Sequence, residues 1–135
     1  MMAPALLSAV LLLLLLPAAS ADSSDPTNFT IMVTNAVTDS ANQTYSTYVV
    51  YRGILLGGMR RLQDSNSGFI FTYTENLNYG PFLESVNGLA GNSEERTYWE
   101  LLVQKPNSTV IRPDVGIGCY IPSANDKIIL NFNRY

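Results

Sequence analysis

The chain contains no histidine and a single cysteine, Cys119, among 135 residues. Without imidazole there is no Ser-His or Cys-His nucleophile pair, no histidine base and no histidine metal ligand. One thiol cannot close a tetrahedral zinc set. It cannot form an internal disulfide framework either, so stability must come from a packed core. Positive charge is also scarce: 8 Lys and Arg against 11 Asp and Glu leave a net charge of −3 with no basic run, which argues against nucleic acid as a partner. Phosphate loops are missing, because Gly57-Gly58 lacks a following Lys-Ser/Thr and Gly116-Ile117-Gly118 runs into Cys-Tyr-Ile-Pro. Glu94, Glu95, Asp114 and Asp126 sit among turn-forming residues, where solvated loops are expected, and no spacing asks two of them to converge as a hydrolase pair. An enzyme is not expected.

What is present begins with a leader. Leu6 to Leu16 is nearly all leucine, Pro17 follows, and Ala19-Ser20-Ala21 has the small-x-small form of a signal-peptidase site. The run is too short to span a bilayer, so residues 1–21 read as a secretory signal peptide rather than a membrane anchor. Residues 22–135 then form one domain, with a polar lead-in at Asp22 to Thr27. Sequons at Asn28, Asn42 and Asn107 fit a secreted, extracellular glycoprotein. In an oxidising compartment the lone Cys119 is expected to be buried and inert, with a disulfide-linked partner as the alternative.

Periodicity supplies the fold class. Phe29 to Thr34 and Tyr45 to Tyr51 alternate β-branched and aromatic residues with polar ones, as strands do. From Ile54 the period changes: Leu55, Met59 and Leu62 share one face of a helix, while Arg60, Arg61 and Asp64 line the other, Arg60 and Asp64 one turn apart. Gly57 and Gly58 each cost that helix about 1 kcal/mol against alanine, so it must depend on docking to a sheet. Asp64 to Gly68 ends it. Phe69 to Thr74 resumes strand alternation with Phe69, Phe71 and Tyr73 on one side. A Gly80-Pro81 turn, a short strand from Phe82 to Val86 and an Asn87-Gly88 turn follow. Thr97 to Val103 and Lys127 to Phe132 are the last strands, with Pro106, Pro113 and Pro122 punctuating the chain between and beside them. The expectation is α+β: a β-rich single domain with one amphipathic helix packed on a sheet.

Two aromatic segments stand out, NYGPFLESVNGL and TYWELL. On residue chemistry alone Trp99 is core more often than ligand wall in a domain of this size. Together with GFIFTYTEN and the closing CYIPSANDKIILNFNRY, however, these segments resemble the C-terminal β domain of the cobalamin carriers: intrinsic factor, transcobalamin and haptocorrin. The likeness covers roughly residues 28–135, and GILLGGMRRLQ looks like that domain's single helix. The resemblance implies a β-grasp-like sheet wrapping one helix, and cobalamin (vitamin B12) as the ligand, bound for transport. It places Asn78, Tyr79, Gly80, Pro81, Phe82 and Leu83 on one side of the corrin contact and Trp99, Glu100, Leu101, Leu102 and Val103 on the other. Tyr79 stands where the family usually has tryptophan. Because strand neighbours alternate faces, Leu101 is expected in the core.

The residues agree in kind with that site, since a broad apolar ring edged with amides asks for aromatic faces, close backbone and an amide such as that of Asn78. What departs from the family is size: the helical barrel that makes most ligand contacts in the carriers is missing, and so is the histidine that coordinates cobalt in transcobalamin. A patch of about 300 Å² contributes about 7 kcal/mol at about 25 cal/mol per Å², which association costs of about 4 to 15 kcal/mol largely cancel. The implied module therefore binds a corrinoid weakly alone, or completes a site with a helical carrier domain on another chain. A Cys119-linked homodimer would present two aromatic walls. The alternative is an extracellular interaction domain that kept the fold and lost corrinoid binding, taking a protein or glycan partner instead.

Overall fold

The computed structural model describes residues 25–78 and 80–135. The leader at residues 1–21 and Tyr79 lie outside the described residues. The order of elements is β1 (Thr27–Asn35), β2 (Gln43–Val49), α1 (Leu55–Asp64), β3 (Phe71–Asn76), β4 (Gly80–Val86), β5 (Leu89–Ala90), β6 (Thr97–Gln104), β7 (Val110–Ile111) and β8 (Lys127–Arg134). A mixed sheet-rich domain with one helix is thus the observed architecture, as α+β patterning implies.

Strands of the larger sheet run in the order β2-β1-β8-β6-β7, and β3-β4-β5 form a second, three-stranded sheet. The chain's last strand is therefore central. It pairs parallel to β1, Ile31 opposite Ile128, and antiparallel to β6, Leu101 opposite Leu130. That position follows from alternation: Ile128, Leu130 and Phe132 are buried and meet the same core as Phe29, Ile31 and Val33 of β1 and Trp99 and Val103 of β6. Phe69, Phe71, Leu83 and Val86 join this core from the second sheet and its lead-in.

The helix docks by the face its sequence announces, with Leu55, Leu56, Met59 and Leu62 buried. Its N-cap, Ile54, offers no side-chain cap. Instead the first amides donate to a distant segment, Leu55 N to Tyr120 O at 2.8 Å and Leu56 N to Ile117 O at 2.9 Å, which satisfies donors that would otherwise be orphaned. At the other end Ser65 Oγ donates to Leu62 O at 2.6 Å. Asn87 and Gly88 adopt φ of 51° and 85°, the paired left-handed conformation of a tight hairpin, and set Val86 opposite Leu89.

Several expectations are corrected. Gly80 and Pro81 are not a turn; they open β4 opposite Asn76 and Glu75, and the reversal falls before them. The second strand stops at Val49, because Val50 to Arg52 turn the chain, with Gly53 N donating to Val50 O at 2.7 Å. Arg60 lies over the Tyr73 ring at 5.7 Å, an aromatic partner that helix spacing cannot reveal. Cys119 is exposed, not buried, because its neighbours Ile117 and Tyr120 turn inward around it. Asp126 is no solvated loop carboxylate either. At 1% exposure, it accepts from Tyr120 Oη and Ser123 N, each at 2.9 Å, and Lys105 Nζ lies 2.8 Å from its other oxygen. One cation and two hydrogen-bond donors make burial of that charge tolerable.

Candidate functional site

Strand β4 brings Pro81, Phe82 and Leu83 against the Trp99 face of β6. Alternation along β4 turns Leu83 inward at 8% exposure and leaves Phe82 at 57%. Trp99, also 8% exposed, is fixed from two sides: its Nε1 donates to Leu89 O at 2.8 Å, and its ring lies 5.1 Å from that of Phe132. The indole is consequently a floor and not an exposed wall. Phe82 and Trp99 both line two hollows.

The first hollow, about 200 Å³, is lined by Phe82, Leu83, Gly91, Tyr98, Trp99 and Tyr135 among others. The second, about 120 Å³, runs from Pro81 and Phe82 over Trp99 and Leu101 to Gly116 and Ile117. Its far wall is tight. A Cβ on Gly118 would sit 2.6 Å from Pro81 Cδ, so a glycine there is what lets the loop before Tyr120 close on β4. Leu101 is half-buried and packs against the core on the same face, in line with alternation.

The other sequence-nominated residues are distributed differently. Asn78 is exposed beside the fully exposed Leu77, with its amide donating to Asn76 Oδ1 at 2.9 Å. Val103 is sealed in the core. Glu100 and Leu102 alternate onto the opposite face of the larger sheet, away from Phe82. There Glu100, although only 5% exposed, is ion-paired with Arg112 and accepts from Asn131 Nδ2 at 3.0 Å, Asn133 Nδ2 at 3.4 Å and Tyr98 Oη at 3.2 Å. Burial pushes its carboxyl up, but Asn131, Arg112 and Asn133 together outweigh it and hold the group below its ordinary value. The carboxylate is thus a structural anion of the sheet.

Tyr135 and Gly91 in the first hollow, and the Gly116 to Gly118 wall of the second, were not nominated from sequence. Tyr135 reaches the site because β8 ends beside Tyr98, whose ring it meets edge-on at 5.8 Å. No local pattern announces that pairing. Chemically the region offers aromatic and aliphatic faces with backbone at close approach, suited to a flat apolar ligand edge. Among the described residues no group of three or more Cys, Asp and Glu side chains could hold a metal ion.

Comparison with known proteins follows the same lines. The family described as "Domain of unknown function (DUF4430)" matches residues 55–134. The chain is 33% identical over 94 residues to cobalamin binding intrinsic factor of Mus musculus, and 34% identical over 98 residues to transcobalamin-1 of Homo sapiens. Each match takes in 70% of this chain and 21% of the relative, so the chain spans about a fifth of the length of the curated relatives it matches. Among solved structures, haptocorrin in complex with Cbi superposes with a TM-score of 0.64 at 22% identity, over 81% of this chain and 26% of that one. A putative metal binding protein from Ruminococcus gnavus gives 0.56 at 14% identity, over 81% and 98%. At these identities the structures share the fold. The chain is thus similar in sequence to the cobalamin carriers over 70% of its length, as the resemblance of TYWELL and YGPFLESVNGL implies.

Proposed function

This chain belongs to the family described as a domain of unknown function, DUF4430, and we propose that it is a secreted cobalamin-binding module that is weak alone or completes a site with another chain. The observation that carries this reading is the exposed Phe82 lining two hollows together with the buried Leu83 and Trp99, in a chain one third identical to a cobalamin carrier over 70% of its length. Pro81 and Phe82, with the Gly80 and Asn78 backbone and, by the resemblance, Tyr79, supply the corrin-facing edge; the buried Leu83 and Trp99 support them from the core side. Glu100 and Leu102 have no part in that contact, since they leave on the other face. The corrinoid is a ligand to be carried, and no reaction is attributed to the chain.

The finer fold reading belongs here as well. A first and a last strand side by side and parallel at the sheet's centre, with one helix packed against it, support a β-grasp-like arrangement. Secretion after removal of residues 1–21, with glycans on the sequons, is the accompanying localisation. No helix among the described residues is long and apolar enough to cross a membrane. The partners follow from what the carriers have in addition: a helical carrier domain on another chain, or a second copy joined through exposed Cys119.

Titration of the purified mature protein with a corrinoid, followed by Trp99 fluorescence with and without a helical carrier domain, tests the reading. Saturable quenching that Phe82→Ala weakens supports it. No response up to high micromolar ligand in either arm overturns it. The second reading, an extracellular interaction domain that has lost the vitamin, is favoured by the near-complete burial of Trp99. Capture of a specific partner indifferent to added cobalamin would select it.

A further inference from the structure

The three sequons have different surroundings. Asn42 lies in the exposed loop between β1 and β2, and Asn107 in the turn between β6 and β7, where its Oδ1 accepts from Thr109 N at 3.1 Å. Asn28 instead belongs to β1 and lines a third hollow, of about 290 Å³. Alternation sets Asn28 and Thr30 on the face of the larger sheet opposite the core residues Phe29 and Ile31, with Ser46 of β2 directly across from Thr30. Asn125 and Asp126 complete the lining. Backbone bonds hold them in place, Asn125 N donating to Asn28 O at 2.8 Å and Thr30 N to Asp126 O at 3.0 Å. The acceptor Asn28 and the hydroxyl residue Thr30 that its sequon requires are thus both part of one hollow.

The size of this hollow falls at the small end of pockets that take small ligands, about 300 to 1,000 Å³, so it has room for one ring and not for a chain. Thr30, Ser46 and Asn125 bring hydroxyl and amide groups to its lining. Its one ionisable residue, Asp126, is 1% exposed and already has Lys105 Nζ at 2.8 Å, so no open charge faces an occupant. A neutral guest rich in hydroxyls and amides matches that surface. Asn28 is exposed, and its side-chain amide has no hydrogen-bond partner among the described residues. We propose that Asn28 is N-glycosylated and that the first sugar, an N-acetylglucosamine, folds back into this hollow instead of standing in solvent. The donor is a lipid-diphosphate-linked oligosaccharide: the bond from Asn28 Nδ2 to the anomeric carbon forms, the bond from that carbon to the diphosphate oxygen breaks, the diphosphate keeps the electron pair and the amide proton is released. The inference rests on the secretory part of the reading above and is independent of corrinoid binding.

Protein expressed in a secreting animal cell tests this in two steps. Glycopeptide mass spectrometry should find a sugar on Asn28. An amidase that cleaves N-linked glycans is then applied to the native protein, where release from Asn28 follows the fraction of time the sugar spends outside the hollow. Ser46→Arg, which fills the hollow from an exposed position, should speed that release roughly tenfold while leaving the melting temperature unchanged. In wild-type protein trimmed to a single sugar, nuclear Overhauser contacts should join the acetyl methyl on Asn28 to the Thr30 methyl. Absence of those contacts, or release indifferent to Ser46→Arg, overturns the seat and leaves the secretory reading standing. A bare Asn28 on exported protein overturns the inference alone. A chain that is not exported, or that carries no sugar on any of Asn28, Asn42 and Asn107, overturns the inference together with the secretory, glycosylated reading on which it rests.

Discussion

A Cβ on Gly58 would sit 2.6 Å from Cζ of Phe29, and 3.1 Å from Cγ1 of Val49. The helix therefore rests on β1 and β2 at a point where any side chain would intrude, and Thr47 Oγ1 closes the contact by donating to Gly58 O at 2.9 Å. A Cβ on the neighbouring Gly57 would meet nothing within 4 Å, since that residue faces solvent.

These two adjacent glycines should respond with opposite signs. Gly57→Ala is expected to stabilise by up to about 1 kcal/mol, since it lowers only the helix propensity cost. Gly58→Ala should destabilise by about 1–3 kcal/mol, because overpacking against Phe29 outweighs the same propensity gain. Urea unfolding of both variants, followed by Trp99 fluorescence, measures the difference; equal shifts would refute the close-approach account.

Glu100 predicts an acid-side loss of stability. Its folded-state pKa is lowered, so as pH falls the unfolded carboxyl takes up a proton before the native one does, and the contribution, fully present above the ordinary carboxylate range, disappears as pH drops through the depressed native value. Wild type should exceed Glu100→Gln at neutral pH and converge with it in acid. A difference independent of pH would show that the ion pair with Arg112 is not the cause.

The Lys105–Asp126 pair should be asymmetric. Asp126 is sealed while the Lys105 side chain is 29% exposed, so removing the carboxylate also strands Tyr120 Oη and Ser123 N. Asp126→Ala should cost about 3 kcal/mol or more, in the range for breaking a buried pair. Lys105→Met should cost less, because water can reach the site the amine vacates. Chemical denaturation of the two variants decides the order.

Phe82 should be separable from the core. It is more than half exposed, so Phe82→Ala ought to leave the melting temperature within a few degrees while reducing any corrinoid response, whereas Trp99→Ala should cost about 3–5 kcal/mol. A Phe82→Ala variant that unfolds would mean the ring is structural and not a ligand edge.

Much of the local structure was legible from the chain. Leu55, Met59 and Leu62 mark the buried face of α1, Phe69, Phe71 and Tyr73 do share a side, and Asn87-Gly88 does form a hairpin, because these features depend on residues close in sequence. The site was legible in part. Phe82 and Leu83 lie with Trp99, but Glu100 and Leu102 are turned away by the same alternation that points Trp99, Leu101 and Val103 toward the core. Asp126 read as a solvated loop carboxylate since its three partners, Lys105, Tyr120 and Ser123, come together only when the 105–126 segment folds.

By itself the amino-acid sequence determined the absence of imidazole chemistry, the period of each element and the kinship with the cobalamin carriers, all of which are properties of residue type and spacing. Only the tertiary structure decided that β8 lies between β1 and β6, that Trp99 is floor rather than wall, that Cys119 faces out and that Arg61 of the helix caps the edge strand β2 at Tyr48 O. Those outcomes depend on pairings between distant segments, where the free energy of a contact belongs to two stretches at once and neither one alone encodes it.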